Sequence, residues 1–136
     1  MPSFGKRSRA QLVTCHPKLI SVLSGVIAYF DFSVLEGHRG TDRQYQLFQE
    51  GRSQIDGINL IGKHNVFPSD AVDIAPYPID FSDRGKARER FYFLMGMIKQ
   101  EAERQGVKLR FGLDWDGDGD FDDQSFDDLG HVEILS

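Results

Sequence analysis

The stretch Gly62-Lys63-His64-Asn65-Val66-Phe67-Pro68-Ser69-Asp70-Ala71-Val72-Asp73-Ile74 joins an imidazole to a strand-borne carboxylate through a turn-forming segment. Asp73 lies within Ala71-Val72-Asp73-Ile74-Ala75, whose apolar neighbours predict a short buried strand. A charge placed there needs a partner, either a Lys or Arg or a metal ion. His64 and Asp73 are therefore candidate ligands. A third candidate stands near the end of the chain, in Asp128-Leu129-Gly130-His131-Val132-Glu133-Ile134, where His131 opens another alternating strand. Two imidazoles and one carboxylate leave a coordination position open, the pattern of a catalytic rather than a structural zinc site. Taken singly, each of these residues is more often an ordinary surface or core residue. The combination carries the reading.

The 136 residues predict one domain with room for a real core. A net charge of −5 and a pI near 5.3 give no basic stripe for nucleic acid. The one cysteine, Cys15, excludes an intramolecular disulfide and reads as a small buried apolar residue. No apolar run follows Lys6, Arg7 and Arg9, and none approaches the length of a membrane span. The expectation is a soluble monomer made in the host cytoplasm without a secretion signal, so action on a cell wall would need delivery across the membrane by another agent.

In chain order, Ser8 is a candidate cap for a short helix through Leu12, and Pro17 can start a second helix to about Ala28. Phe32 to Leu35 reads as a strand delivering Glu36-Gly37-His38-Arg39-Gly40 into a turn. Thr41 and Gln44 form a capping-box pattern opening a helix through Glu50, which Gly51 can end. From Arg52 to Lys63 periodicity is lost and a mobile loop is predicted. A long helix is expected from about Lys86 to Gln105, closed by Gly106. It has Ala87, Phe91, Leu94, Met95, Ile98 and Ala102 on its core face and Arg88, Glu89, Lys99, Glu103 and Arg104 on a solvated one. Lys108 to Gly112 follows as a strand.

Asp114-Trp115-Asp116-Gly117-Asp118-Gly119-Asp120 repeats a carboxylate at alternate positions with Gly at the sixth, matching the front of an EF-hand calcium loop. Ser125 replaces the closing Glu at position twelve, and no helix precedes the loop. An EF-hand-like calcium site is expected in an insertion at about residues 114 to 125. Asp114, Asp116 and Asp118 would be its side-chain ligands and Asp123 a candidate closing ligand. Glu133, two residues beyond His131 along the strand, is either an acceptor that fixes the ring tautomer or an ordinary exposed Glu.

His64-Asn65, Pro68-Ser69, Ala71-Val72-Asp73 and Gly130-His131-Val132-Glu133 together resemble the zinc-dependent peptidases of the VanY/VanX type. Leu109-Arg110-Phe111-Gly112 and Asp114-Trp115 look especially like the phage L-alanyl-D-glutamate endopeptidases of that family. Gly37-His38-Arg39-Gly40-Thr41, Gln44, Leu47-Phe48 and Gly51-Arg52-Ser53 resemble its Arg-bearing turn and following helix. The resemblance implies an α+β domain of the Hedgehog/DD-peptidase type, with a small, mostly antiparallel sheet flanked by helices and zinc on His64, Asp73 and His131. It also implies that Arg39 stabilises the tetrahedral intermediate or positions substrate. The three-residue spacing to His131 matches the family's acid-before-ligand arrangement and selects Asp128, rather than Asp127, as general base and later acid. Some phage members carry a regulatory calcium, which by resemblance would order the loop and place Asp128. The implied activity is endolysin cleavage of the L-alanyl-D-glutamate bond in peptidoglycan peptide stems, leading to cell lysis. Gly62 departs from the Ser that the family often has two positions before the first His, which bears on cleavage specificity.

Three rivals have distinct signatures. A D-alanyl-D-alanine carboxypeptidase or dipeptidase would release D-Ala. A non-haem iron oxygenase would share the two-His, one-carboxylate triad, although the chain has too few strand signals for a jelly roll. A calcium-dependent wall-binding module would retain the fold without turnover.

Overall fold

A computed structural model of the chain describes residues 1–82, 85–124 and 127–135. Four helices, α1 (Lys6–Leu12), α2 (Pro17–Val26), α3 (Thr41–Gln49) and α4 (Gly85–Gln105), accompany four strands, β1 (Phe32–Glu36), β2 (Ala71–Pro76), β3 (Leu109–Phe111) and β4 (His131–Ile134). The strands form one sheet in the order β1-β2-β4-β3, and every neighbouring pair is antiparallel. This is the small α+β architecture that the sequence predicts.

Alternation along the strands sorts the two faces of the sheet. Phe32, Val34, Val72, Ile74, Phe111, Val132 and Ile134 turn to one side and join Leu19, Leu23, Leu94 and Ile98 in the buried core. The period-3.6 stripe of α4 supplies the covering layer, with Phe91, Leu94, Met95, Ile98 and Ala102 buried as expected and Ala87 only partly so. The opposite face carries polar side chains in register: Arg110 pairs across from Glu133, His131 from Asp73, and Asp73 from Glu36. A β-bulge between Val34 and Glu36 lets Leu35 fall out of register and brings Glu36 to the polar face.

Two helix starts differ from expectation for one reason: a polar side chain is used for tertiary contact. The cap of α1 is Gly5, without a side-chain bond, because Ser8 is buried inside the helix, where its Oγ accepts from the backbone N–H of Val34 at 3.0 Å. The cap of α3 is Gly40, also without a side-chain bond, and Gln44 turns inward rather than back to Thr41. α2 ends at Val26, two residues earlier than expected, and His16 caps it by accepting from the Lys18 N–H at 3.0 Å. The stretch predicted as a mobile loop has no helix or strand, yet its backbone is tied down. Asp56 Oδ1 accepts from the N–H groups of Ile58, Asn59 and Leu60 at 2.8–2.9 Å.

Candidate metal centre

The sheet register alone makes Asp73 and His131 cross-strand neighbours. His64 arrives from the turn before β2 and is held from three sides. Its carbonyl accepts from the Arg39 N–H at 2.7 Å, its Nδ1 lies 2.7 Å from the Gly37 carbonyl, and the adjacent Asn65 amide donates to the Arg39 carbonyl at 3.0 Å. Donation from Nδ1 to that carbonyl fixes the tautomer and leaves Nε2 as a lone-pair donor. Gly37 is required at this point because a Cβ would lie 2.4 Å from Thr14 Oγ1 and 2.6 Å from the Gln11 carbonyl.

His64 Nε2 lies 3.3 Å, and His131 Nδ1 3.4 Å, from the same oxygen, Asp73 Oδ1. One donor atom from each of the three side chains falls within 4.8 Å of the others. His64 Nε2 and Asp73 Oδ1 are buried without a hydrogen-bond partner, a state that costs about 1–3 kcal/mol per atom if nothing else satisfies it. Three convergent lone pairs, two of them buried and unmatched, fit a divalent cation bound by nitrogen and oxygen. His131 Nε2 lies 2.8 Å from Glu133 Oε1, so the ring directs Nδ1 toward the cluster. Arg110 in turn donates to Glu133 Oε2 at 3.0 Å. Burial pushes the Asp73 carboxyl up, but the two imidazoles outweigh it and hold the group far below the usual range. The same contact, together with Glu133, overcomes burial of His131 and raises it to about 9.

Arg39 is not a free cation beside this cluster. Its Nε donates to Glu36 at 2.5 Å, its Nη1 to Gln44 Oε1 at 3.0 Å and its Nη2 to Asp73 Oδ2 at 3.3 Å. The guanidinium therefore holds the outer oxygen of Asp73 while the inner one faces the imidazoles. Asp128 sits in the field of Asp73, His131, His64 and Arg39; burial first and the charge of Asp73 second raise its carboxyl above the ordinary range. Its approach depends on Gly112, where a Cβ would come within 2.2 Å of the Asp128 carbonyl. Asp127 points elsewhere, to Arg88 at 2.9 Å and Gln124 at 2.7 Å. Arg88, expected on a merely solvated face of α4, thus reaches the segment before β4.

In the acidic loop, Asp114, Asp116 and Asp118 bring carboxylate oxygens within 4.8 Å of one another, with Gly117 and Gly119 at φ values of 70° and 82°. Asp114 Oδ2 accepts from the Gly119 N–H at 2.9 Å, while its Oδ1 is buried and unmatched. Asp123, although exposed, adjoins Asp118, and this contact, local desolvation and the neighbouring carboxylates push its carboxyl up to about 7. Ser125, at position twelve, lies outside the described residues. The loop meets the cluster through Trp115, whose ring centroid is 5.3 Å from that of His131 and lies under the Arg110 guanidinium.

Gln44, Glu36, Arg110 and Trp115 were not singled out as site residues by the sequence. The signal for Gln44 was its spacing: it shares the buried face of α3 with Leu47, and an amide on an apolar face must find partners. For Arg110, it was an opposite charge, Glu133, at the matching position of a second strand.

An α+β domain that gathers two imidazoles and a carboxylate at a possible metal site, with a second half-buried carboxyl beside them, has the make-up of a hydrolase. The chain belongs to the phage L-alanyl-D-glutamate peptidase family, whose model matches residues 2–135. The L-alanyl-D-glutamate peptidase of Escherichia phage T5 is 34% identical to it over an alignment of 140 positions, covering 97% of each chain. The Serratia marcescens L-Ala D-Glu endopeptidase ChiX shares the fold, with a TM-score of 0.75 over 98% of this chain and 91% of that one, at 22% identity. The chain is accordingly a peptidase.

Proposed function

We propose that this peptidase hydrolyses the L-alanyl-D-glutamate amide in the peptide stems of peptidoglycan, as an endolysin, using zinc held by His64 Nε2, Asp73 Oδ1 and His131 Nδ1. The observation that carries this reading is the convergence of those three atoms within 4.8 Å, two of them buried and unmatched. When bound there, zinc supplies Lewis acidity, polarising a carbonyl and lowering the pKa of water. Asp128 takes the proton from the attacking water and returns it to the amine nitrogen as the C–N bond breaks, both steps open to a carboxyl. Arg39 has two N–H groups beyond those bonded to Glu36, Gln44 and Asp73, and these stabilise the oxyanion while its third bond keeps Asp73 oriented. Glu133 accepts from His131 and fixes its tautomer.

Residues 1–136 are read as one peptidase domain bearing a calcium loop near 114–125. In it Asp114, Asp116 and Asp118 ligate, Asp123 closes the site, and the ion relieves the mutual repulsion of the carboxylates. No helix among the described residues is long and apolar enough to cross a membrane. Digestion of purified peptidoglycan, followed by mass analysis of the fragments, tests the bond cut. The expected products are stem peptides with D-glutamate at a new amino terminus; release of D-alanine alone would reject the assignment.

A further inference from the structure

We infer that Gln44 is a positioning residue for the reaction: it sets the guanidinium of Arg39 and locks the 53–57 loop to the metal-ligand turn. This rests on the proposed role of Arg39. Gln44 is 2% exposed, and the carboxamide uses both its oxygen and its nitrogen twice. Oε1 accepts from Arg39 Nη1 at 3.0 Å and from Asn65 Nδ2 at 3.2 Å. Nε2 donates to Ser53 Oγ at 2.8 Å and to the Ile55 carbonyl at 2.6 Å. One neutral side chain thus joins the turn carrying Arg39, the residue following His64, and the loop beyond α3.

The packing around it is equally specific. Gly57 sits at φ +78°, and a Cβ there would fall 2.8 Å from Gln44 Cγ. The loop backbone is therefore pressed onto the stem of Gln44 at a place where only glycine fits without strain. A fully satisfied buried amide orients its partners more firmly than a solvated one, because any rotation leaves donors or acceptors unmatched in a low-dielectric site. Arg39 can reach both Asp73 and a substrate only if its plane is fixed. Glu36 holds one edge, at Nε, and Gln44 holds Nη1. A carboxylate at position 44 would instead place a charge beside Arg39 in competition with Asp73 and would face the Ile55 carbonyl without a donor.

The test is a double-mutant cycle on the zinc-loaded enzyme, read as kcat and KM on stem peptide, with hydrogen exchange of the 53–57 amides as a readout independent of turnover. Gln44→Met, close to isosteric, is expected to lower kcat by about 10–100-fold with KM little changed. In an Arg39→Ala background the same substitution should have almost no further effect on kcat, since both act through one guanidinium. Loop exchange should rise in Gln44→Met and not in Arg39→Ala. Ser53→Ala, which removes one acceptor and leaves the amide in place, should move exchange and kcat in the same direction by a smaller factor; it keeps the test open if Gln44→Met does not fold. Independent, multiplying losses in kcat, or exchange unchanged in both Gln44→Met and Ser53→Ala, would overturn the inference. Undiminished turnover in Arg39→Ala would instead remove the reading of Arg39 on which it stands.

Discussion

Asp128 and Asp127 are adjacent carboxylates with opposite surroundings, and the difference decides their chemistry. Arg88 and Gln124 hold Asp127 ionised, below the ordinary carboxyl range against the effect of burial. Asp128 is raised by burial and by the charge of Asp73, with His131, His64 and Arg39 opposing. A base works when deprotonated, so kcat/KM should fall on the acid side as Asp128 takes up a proton. Asp128→Asn should lower kcat by about 10²–10⁴-fold while zinc still binds in a one-to-one ratio by metal analysis; Asp127→Asn should leave the acid limb in place. A pH–rate profile that loses its acid limb in Asp127→Asn would reverse the two roles. The grouping of the candidate ligands was legible from sequence because a carboxylate within an apolar strand demands explanation, and because His131 begins a second such strand. Gln44 was not, because its spacing from Thr41 also fits a helix cap. Only the tertiary position of Arg39 tells the two uses of that amide apart.

At the scale of elements, the helices and strands followed from apolar periodicity, and the errors lie at their ends and in what their polar faces touch. The core stripe of α4 was readable from a period of 3.6, but Arg88 looked solvated, since its partner Asp127 lies 39 residues away. Its guanidinium also donates to the Tyr92 hydroxyl at 2.9 Å, and the Tyr92 ring meets Phe121 of the acidic loop at 4.8 Å. Arg88 thus fastens α4 to the segment leading into β4, in the immediate neighbourhood of Asp128. Because the Asp127 carboxyl is depressed in the folded state, its stabilising contribution is present above its ordinary value near 3.8 and fades as pH falls through the lower folded-state value. Both partners are about three-tenths exposed, so solvent screening limits the effect. Arg88→Ala should cost about 1 kcal/mol at pH 7, and urea unfolding should show the gap to wild type narrowing in acid. A gap that stays constant from neutral pH to pH values well below the carboxyl range would mean that Arg88 stabilises by packing rather than charge.

Across the whole molecule, the three proposed ligands come from separated parts of the chain: the turn before β2, β2 itself, and β4. The order β1-β2-β4-β3 could not be read from the alternation of individual strands, which identifies faces but not neighbours. The requirement that His64, Asp73 and His131 converge is met by setting β2 beside β4, where Asp73 faces His131. The same requirement gives a thermodynamic consequence. Without a cation, the fold must bury His64 Nε2 and Asp73 Oδ1 unmatched, and a cation that binds only the native arrangement stabilises it by mass action. At a free metal concentration 100 times the dissociation constant the gain is about 2.7 kcal/mol, which for a domain of this size corresponds to roughly 10 °C in the unfolding midpoint. Removing zinc with a chelator should therefore lower the midpoint by about that amount, and added zinc should restore it. His131 adds a pH dependence: in the metal-free protein it binds a proton up to about pH 9, so zinc must displace that proton and should bind more weakly as pH falls. His64→Ala removes one of the three donors without touching the strands, and its midpoint should respond little to zinc or chelator when the acidic loop is kept saturated with calcium. A His64→Ala protein that melts with the full zinc-dependent shift of wild type would place the stabilising ion somewhere other than between β2 and β4.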